Sequence, residues 1–236
     1  MALPKLNQAP NYELTIPSTG EKIQYRPFLV KEQKILLLAV ESQDQKQILR
    51  TIRDTLEACI IGEYNINALK AFDVEYIFLQ LRSKAVGENA PLPFKCGDCD
   101  TEHKVNIPLS EINVKINDDI KYDIPIGEQY NLKLGYPLFT QMIEADVAED
   151  VAQSELVFKT AKMCLHSLQT EDENILFADE SEEEVEEFFG SLTANQFNSI
   201  MEFAQAVPTI KHDVEFKCTK CGKDNEIALQ GLQDFF

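Results

Sequence analysis

Apolar and polar residues alternate through Tyr12-Glu13-Leu14-Thr15-Ile16 and again through Lys22-Ile23-Gln24-Tyr25, with Ser18-Thr19-Gly20-Glu21 between them. Period-two alternation on both sides of turn residues predicts a β-hairpin. The period then lengthens. A helix is expected from about Leu29 to Val40, and its Ile35–Val40 run, the longest apolar stretch, reads as buried. From Gln45 to Ile61 the residues Ile48, Ile52, Leu56 and Ile60 recur every four positions, with Asp44 available as the N-cap. Cys59 lies beside that stripe and reads as a core residue. A third helix is expected from about Val74 to Val86. The ten residues ahead of the hairpin, Met1 to Pro10, are polar and proline-containing and read as an arm.

Further along, Ile112-Asn113-Val114, Tyr122-Asp123-Ile124 and Tyr130–Leu134 read as short strands. Pro137 suits the start of a helix running to about Ala145. A long amphipathic helix is expected over Asp150–Leu168, with Cys164 and His166 inside it as packing or structural residues. Ser181 with Glu184, and Thr193 with Gln196, form capping-box patterns that open two more helices, the second ending before Pro208.

Two segments are near-copies. Phe94-Lys95-Cys96-Gly97-Asp98-Cys99 leads into Lys104-Val105-Asn106-Ile107, and Phe216-Lys217-Cys218-Thr219-Lys220-Cys221 leads into Glu226-Ile227-Ala228-Leu229. Each predicts a β-hairpin with a Cys-x-x-Cys knuckle at its turn. Tetrahedral zinc takes four ligands, so Cys96, Cys99, Cys218 and Cys221 form a complete structural site without an open position for water or substrate. A thioredoxin-type pair needs a helix after its cysteines, and alternating residues follow here instead. Disulfides fit poorly with an N-terminus that has no secretory leader pattern. An iron–sulfur cluster suits hairpin-borne pairs less well, and a site shared between two chains is the competing geometry. More than a hundred residues separate the knuckles. Closure entropy grows only logarithmically with loop length, however, and structural zinc supplies roughly 10–16 kcal/mol in small peptides. His103 and His212 lie near the knuckles in sequence, as substitute ligands or donors to them; four cysteines make ordinary surface histidines the simpler reading.

Charge narrows the function. The 236 residues carry a net charge of −18, with a pI near 4.5, against the basic surface that nucleic acid requires. Ten acidic residues and no Lys or Arg fall between Glu171 and Glu187, a solvated face or a dock for a basic partner. No apolar run reaches the ~18 residues of a membrane span. Gly-rich phosphate loops, Gly-x-Ser-x-Gly and His-Glu-x-x-His are all missing, so no catalytic residues are assigned. The ending Leu232, Phe235 and Phe236 offers apolar groups for a partner's groove or for the chain's own core.

The segments Leu3-Pro4-Lys5-Leu6, Leu14-Thr15-Ile16-Pro17-Ser18-Thr19-Gly20-Glu21-Lys22-Ile23 and Tyr25-Arg26-Pro27-Phe28-Leu29-Val30-Lys31-Glu32 resemble the T4-type bacteriophage baseplate protein family. The ending, from Phe216 through Cys221-Gly222 to Phe235-Phe236, is similar as well. Members of that family are commonly labelled baseplate hub subunits or hub assembly catalysts. The resemblance implies a place in the virion tail baseplate after synthesis in the host cytoplasm, with other hub or tail subunits as partners. It carries over no catalytic residues.

The combined expectation is an α+β protein: a hairpin plus helical region (11–90), a first Cys hairpin with following strands (91–124), a mostly helical insertion (125–207) and a second Cys hairpin with an aromatic tail (208–236). The two Cys hairpins form a split zinc ribbon. The function expected is a non-enzymatic structural or assembly component of the hub, with no nucleic-acid or membrane partner and with homo-oligomerisation open. The alternatives are an assembly chaperone that leaves before maturation and, from another class, a zinc-ribbon nucleic-acid binder.

Overall fold

The computed structural model describes residues 10–117, 119–127, 129–145 and 153–235, and the expected arm before Pro10 lies outside them apart from that residue. The chain forms two compact units, one made of residues 1–115 and 209–236, the other of 116–208.

The first unit opens with the hairpin β1 (Tyr12–Thr15) and β2 (Lys22–Tyr25), paired Tyr12↔Tyr25 through Thr15↔Lys22. Leu14, Ile16, Ile23 and Tyr25 point inward, as the alternation requires. Two helices follow, α1 (Val30–Ser42) and α2 (Gln45–Cys59), with Gln47 donating its backbone N–H to the Asp44 cap at 3.0 Å. α2 stops at Cys59, earlier than its periodicity indicates, because Ile60–Ile61 leaves the helix as β3 and pairs with β2. Cys59 is fully buried. α3 (Ala71–Val86) is the unit's central helix and buries Phe72, Val74, Ile77, Phe78, Leu79 and Leu81. Its capping residue Asp73 also accepts from the backbone and hydroxyl of Ser18 at 2.9 and 2.6 Å, pinning the first hairpin's turn to the helix start. α1 departs most from expectation. Only Glu32, Leu36 and Ala39 are buried on it, and most of the Ile35–Val40 run is exposed. The run is apolar, but its helix packs on one side only.

The first Cys hairpin is β4 (Asn89–Lys95) with β5 (Glu102–Pro108). Pro91 and Pro93 are tolerated in β4 because the sheet has two strands and leaves one edge of each unpaired. Ile112 is buried beyond a short 3₁₀ turn, Leu109–Glu111. Of the expected Ile112–Val114 strand only Val114 pairs, in a single antiparallel bridge to Ile210.

The second unit is an antiparallel sheet with helices on its core. β6 (Asp123–Ile126), β7 (Tyr130–Leu134), α4 (Phe139–Glu144), α5 (Gln153–Met163), β8 (Leu165–Gln169), β9 (Asn174–Leu176), α6 (Glu182–Gly190) and α7 (Ala194–Gln205) follow in order, and the strands lie β6-β7-β8-β9. The core gathers Ile124, Leu132, Leu134, Ala161, Cys164, Leu165, Phe189, Ile200 and Phe203. The long helix expected to Leu168 ends at Met163. Leu165 and Ser167 point inward with His166 outward, a period of two, and β8 pairs on both edges. Cys164 is thus a buried junction residue, and His166 sits on a strand. Gly135 makes room there, since a Cβ on it would lie 3.2 Å from the Cβ of His166. The start of that expected helix, including Val151, lies outside the described residues. Both expected capping boxes are present: Ser181 accepts from Glu184 N–H at 3.3 Å, and Thr193 from Gln196 N–H at 3.4 Å.

The chain then re-enters the first unit. The Thr209 hydroxyl and Ile210 N–H both donate to Glu75 on α3, at 2.9 and 3.4 Å. β10 (Lys211–Lys217) and β11 (Asp224–Gln230) form the second Cys hairpin, and a 3₁₀ turn, Leu232–Phe235, closes the described chain. Phe235 is fully buried and its carbonyl accepts from Arg82. Leu232 is buried too. Neither residue therefore offers apolar surface to a neighbour; both pack on their own unit, and Phe236 lies outside the described residues.

Burial raises the Glu75 carboxyl above its usual range, more than its two hydrogen bonds lower it. A carboxyl with a raised native pKa contributes most to stability when protonated, and that contribution is lost as pH rises through the native value. Glu75→Gln, which keeps the acceptor and removes the charge, is expected to melt above the parent chain at pH 7. The difference should shrink towards zero near pH 4 in paired calorimetric scans; parallel curves across that range would refute it.

Candidate metal centre

The two Cys hairpins are superposable in register. Phe94 pairs with His103 and Lys95 with Glu102; in the second copy Phe216 pairs with Asn225 and Lys217 with Asp224. The inward positions also correspond: Leu92 with Val214 and Ile107 with Leu229, all buried. Their turns are closed by the same bonds. Cys96 N–H donates to Thr101 O at 3.0 Å and Asp100 N–H to Cys96 O at 3.0 Å, while Cys218 N–H donates to Lys223 O at 2.8 Å and Gly222 N–H to Cys218 O at 3.0 Å. Both knuckles then need a left-handed residue just after the second cysteine. Asp100 supplies it at φ 54° and Gly222 at φ 77°.

The knuckles meet face to face. Phe94 and Phe216 stack with ring centroids 6.1 Å apart. The Sγ atoms of Cys96 and Cys221 lie 3.6 Å apart, as do those of Cys99 and Cys218, and all four sulfurs fall within 4.8 Å of one another. A tetrahedral metal with Zn–S bonds of about 2.3 Å places its sulfurs roughly 3.8 Å apart, so the cluster has the size of an S₄ site. Cys96 and Cys218 are buried, Cys99 is half-buried and Cys221 exposed. All four sulfurs belong to one chain.

Around the sulfurs the repeat crosses over. His103 Nε2 lies 3.3 Å from Cys218 Sγ, and its ring leans on Phe216 with centroids 5.3 Å apart. The equivalent residue of the other copy, Asn225, accepts from Gly97 N–H at 3.1 Å. Each hairpin thus reaches from the same strand position onto the opposite knuckle. His103 is no ordinary surface histidine, contrary to the simpler sequence reading. His212, paired with Leu229 at the far end of its hairpin, has no part in the cluster. Asn225 went unassigned from the sequence, although its register equivalence to His103 in the repeat was a usable signal.

The sulfurs differ in their ionisation. N–H groups of Asp98 and Cys99, together with the neighbouring thiols, draw the Cys96 thiol down to about 6. Cys99 is lowered by the Thr101 hydroxyl and backbone. For Cys221 the Lys223 N–H lowers the value, but desolvation and the three other sulfurs outweigh it and push it up to about 12. Thiolates crowd one another when no cation is present, and a soft dication removes that conflict.

Two units, one carrying a cysteine knuckle pair and a central buried helix, define an α+β protein built around a four-cysteine centre. The chain belongs to the T4 bacteriophage base plate protein family, whose model matches residues 9–236. No curated protein and no solved structure matches it. Among the described residues no helix is long and apolar enough to cross a membrane.

Two substitutions test the paired knuckles. Gly222→Val is expected to cost about 1–2 kcal/mol through its left-handed backbone, since open space surrounds a Cβ there, whereas Asp100→Gly should be neutral or mildly stabilising in the same denaturation assay. Loss of a residue that orients a ligand typically costs about 10–100-fold in metal affinity. His103→Ala should show that loss in a competitive chelator titration, while His212→Ala leaves affinity unchanged.

Proposed function

We propose that this chain is a non-enzymatic structural or assembly component of the baseplate hub of a contractile phage tail, with one structural Zn²⁺ held by Cys96, Cys99, Cys218 and Cys221. The family match supports the baseplate, and the likeness of the opening and closing segments to hub-labelled members supports the hub. The metal rests on one observation: four sulfurs from two distant hairpins converge within 4.8 Å at tetrahedral spacing. Bound zinc supplies no reaction chemistry here, because four thiolates leave it no open position. It fastens the C-terminal hairpin to the middle of the chain. Partners are other hub or tail subunits, met through protein surfaces; the charge of −18 disfavours nucleic acid, and nothing in the pattern favours a membrane. The second reading, an assembly chaperone absent from the mature virion, draws on the same charge, since an acidic surface can shield basic subunits during assembly.

Metal analysis of the purified chain is expected to give one zinc per chain. Cys218→Ser should lose it and lower the melting temperature by at least about 5 °C, the shift of a few kcal/mol in a chain of this size. Full melting stability in a metal-free sample would remove the metal reading. Quantitative mass spectrometry of infectious particles beside partial tail assemblies decides the role. A small fixed copy number in mature particles marks a hub subunit, presence only in partial assemblies marks a chaperone, and absence from both overturns the hub placement.

A further inference from the structure

The longest apolar run of the sequence is half in water. On α1 only Glu32, Leu36 and Ala39 turn inward, while Val30, Ile35, Leu37, Leu38 and Val40 are 47–79% exposed. A helix that is apolar on all sides is normally surrounded by protein. Contiguous apolar patches on monomers seldom exceed about 300–600 Å²; on α1, Val30, Leu37 and Leu38 lie on the outer side, and Ile35 and Val40 flank the buried stripe on either side.

The order of residues along the outer face selects the cover. Val30, Lys34, Leu37 and Glu41 recur at i, i+4, i+7 and i+11 on the side opposite Leu36 and Ala39, with Leu38 beside them. Lys34 sits in the N-terminal half and Glu41 in the C-terminal half. If two copies of α1 cross antiparallel about a point between Leu37 and Leu38, Leu37 of each copy meets Leu38 of the other. Lys34 then meets Glu41 twice by symmetry. A parallel pair would instead set Lys34 against Lys34 and Glu41 against Glu41, which is repulsive. We infer that α1 is the face of a two-fold homodimer, joined antiparallel through Leu37, Leu38 and the Lys34–Glu41 pairs. This self-complementarity is what a two-fold interface requires.

Area and charge set its strength. Stable interfaces bury about 1,200 Å² or more in total, and one helix face from each copy is a smaller contact than that, so the dimer is reversible. Two chains of charge −18 repel at long range, and salt at about 0.15 M screens that over about 8 Å. Dimerisation therefore strengthens with added salt. A basic partner seated on the same face would be weakened by it. The inference stands apart from the metal reading.

Sedimentation equilibrium of the full zinc-loaded chain, from about 1 to 100 µM, reads it directly. The parent chain is expected to dimerise, more tightly at higher salt. Lys34→Glu should weaken the dimer about tenfold, the double change Lys34→Glu with Glu41→Lys should restore it to within about threefold, and Leu37→Lys should abolish it. These side chains are exposed, so metal content and melting temperature should hold in every variant. A monomer throughout the range overturns the inference, and gives the face to a different tail subunit if one then binds there. A dimer indifferent to all three changes overturns it as well.

Discussion

Four cysteine sulfurs within 4.8 Å of one another impose the constraint on which the first unit depends. Crowded thiolates repel one another, and a cation among them would relieve that repulsion. Satisfying the constraint requires β4–β5 and β10–β11 to meet at their turns, although the whole second unit, residues 116–208, lies between them in sequence. Closing a loop of that length costs about 4 kcal/mol by chain statistics, well below what a structural zinc site returns.

The closure does not rest on the cysteine cluster alone. Thr209 and Ile210 reach Glu75 where the chain re-enters the first unit, Val114 bridges Ile210, and Arg82 holds the Phe235 carbonyl against α3. The cysteine cluster, the sheet bridge and the helix anchors all join the middle of the chain to its C-terminal segment. The insertion between Lys115 and Thr209 has its own core around Leu132, Cys164 and Phe203. In sequence it separates the two parts of the first unit.

Within the centre, the repeat explains more than the ligands. Corresponding positions do corresponding work: Phe94 stacks on Phe216, Asp100 and Gly222 take the left-handed turn, and His103 and Asn225 each cross to the other knuckle. The differences within those pairs mark where the two halves part. The histidine touches a sulfur of the opposite knuckle, whereas the asparagine ties down its backbone.

What could be read from the residues alone was whatever depends on local spacing. The first hairpin, the Asp44 cap, both capping boxes and the two knuckles follow from patterns a few residues long, because their hydrogen bonds close within a turn. The grouping of the four cysteines was legible for the related reason that a repeated knuckle has an unmet ligand count. Other features were settled only by packing between distant segments. Leu165–Gln169 fits a helix stripe as well as a strand, and the open edges of β7 and β9 made it β8. Ile35–Val40 looks like core in any window, yet one side of α1 was all the first unit had room to cover. Phe235 went to its own core because Arg82 and α3 offered it a place. Periodicity records which residues avoid water; only the assembled structure decides which of them succeed.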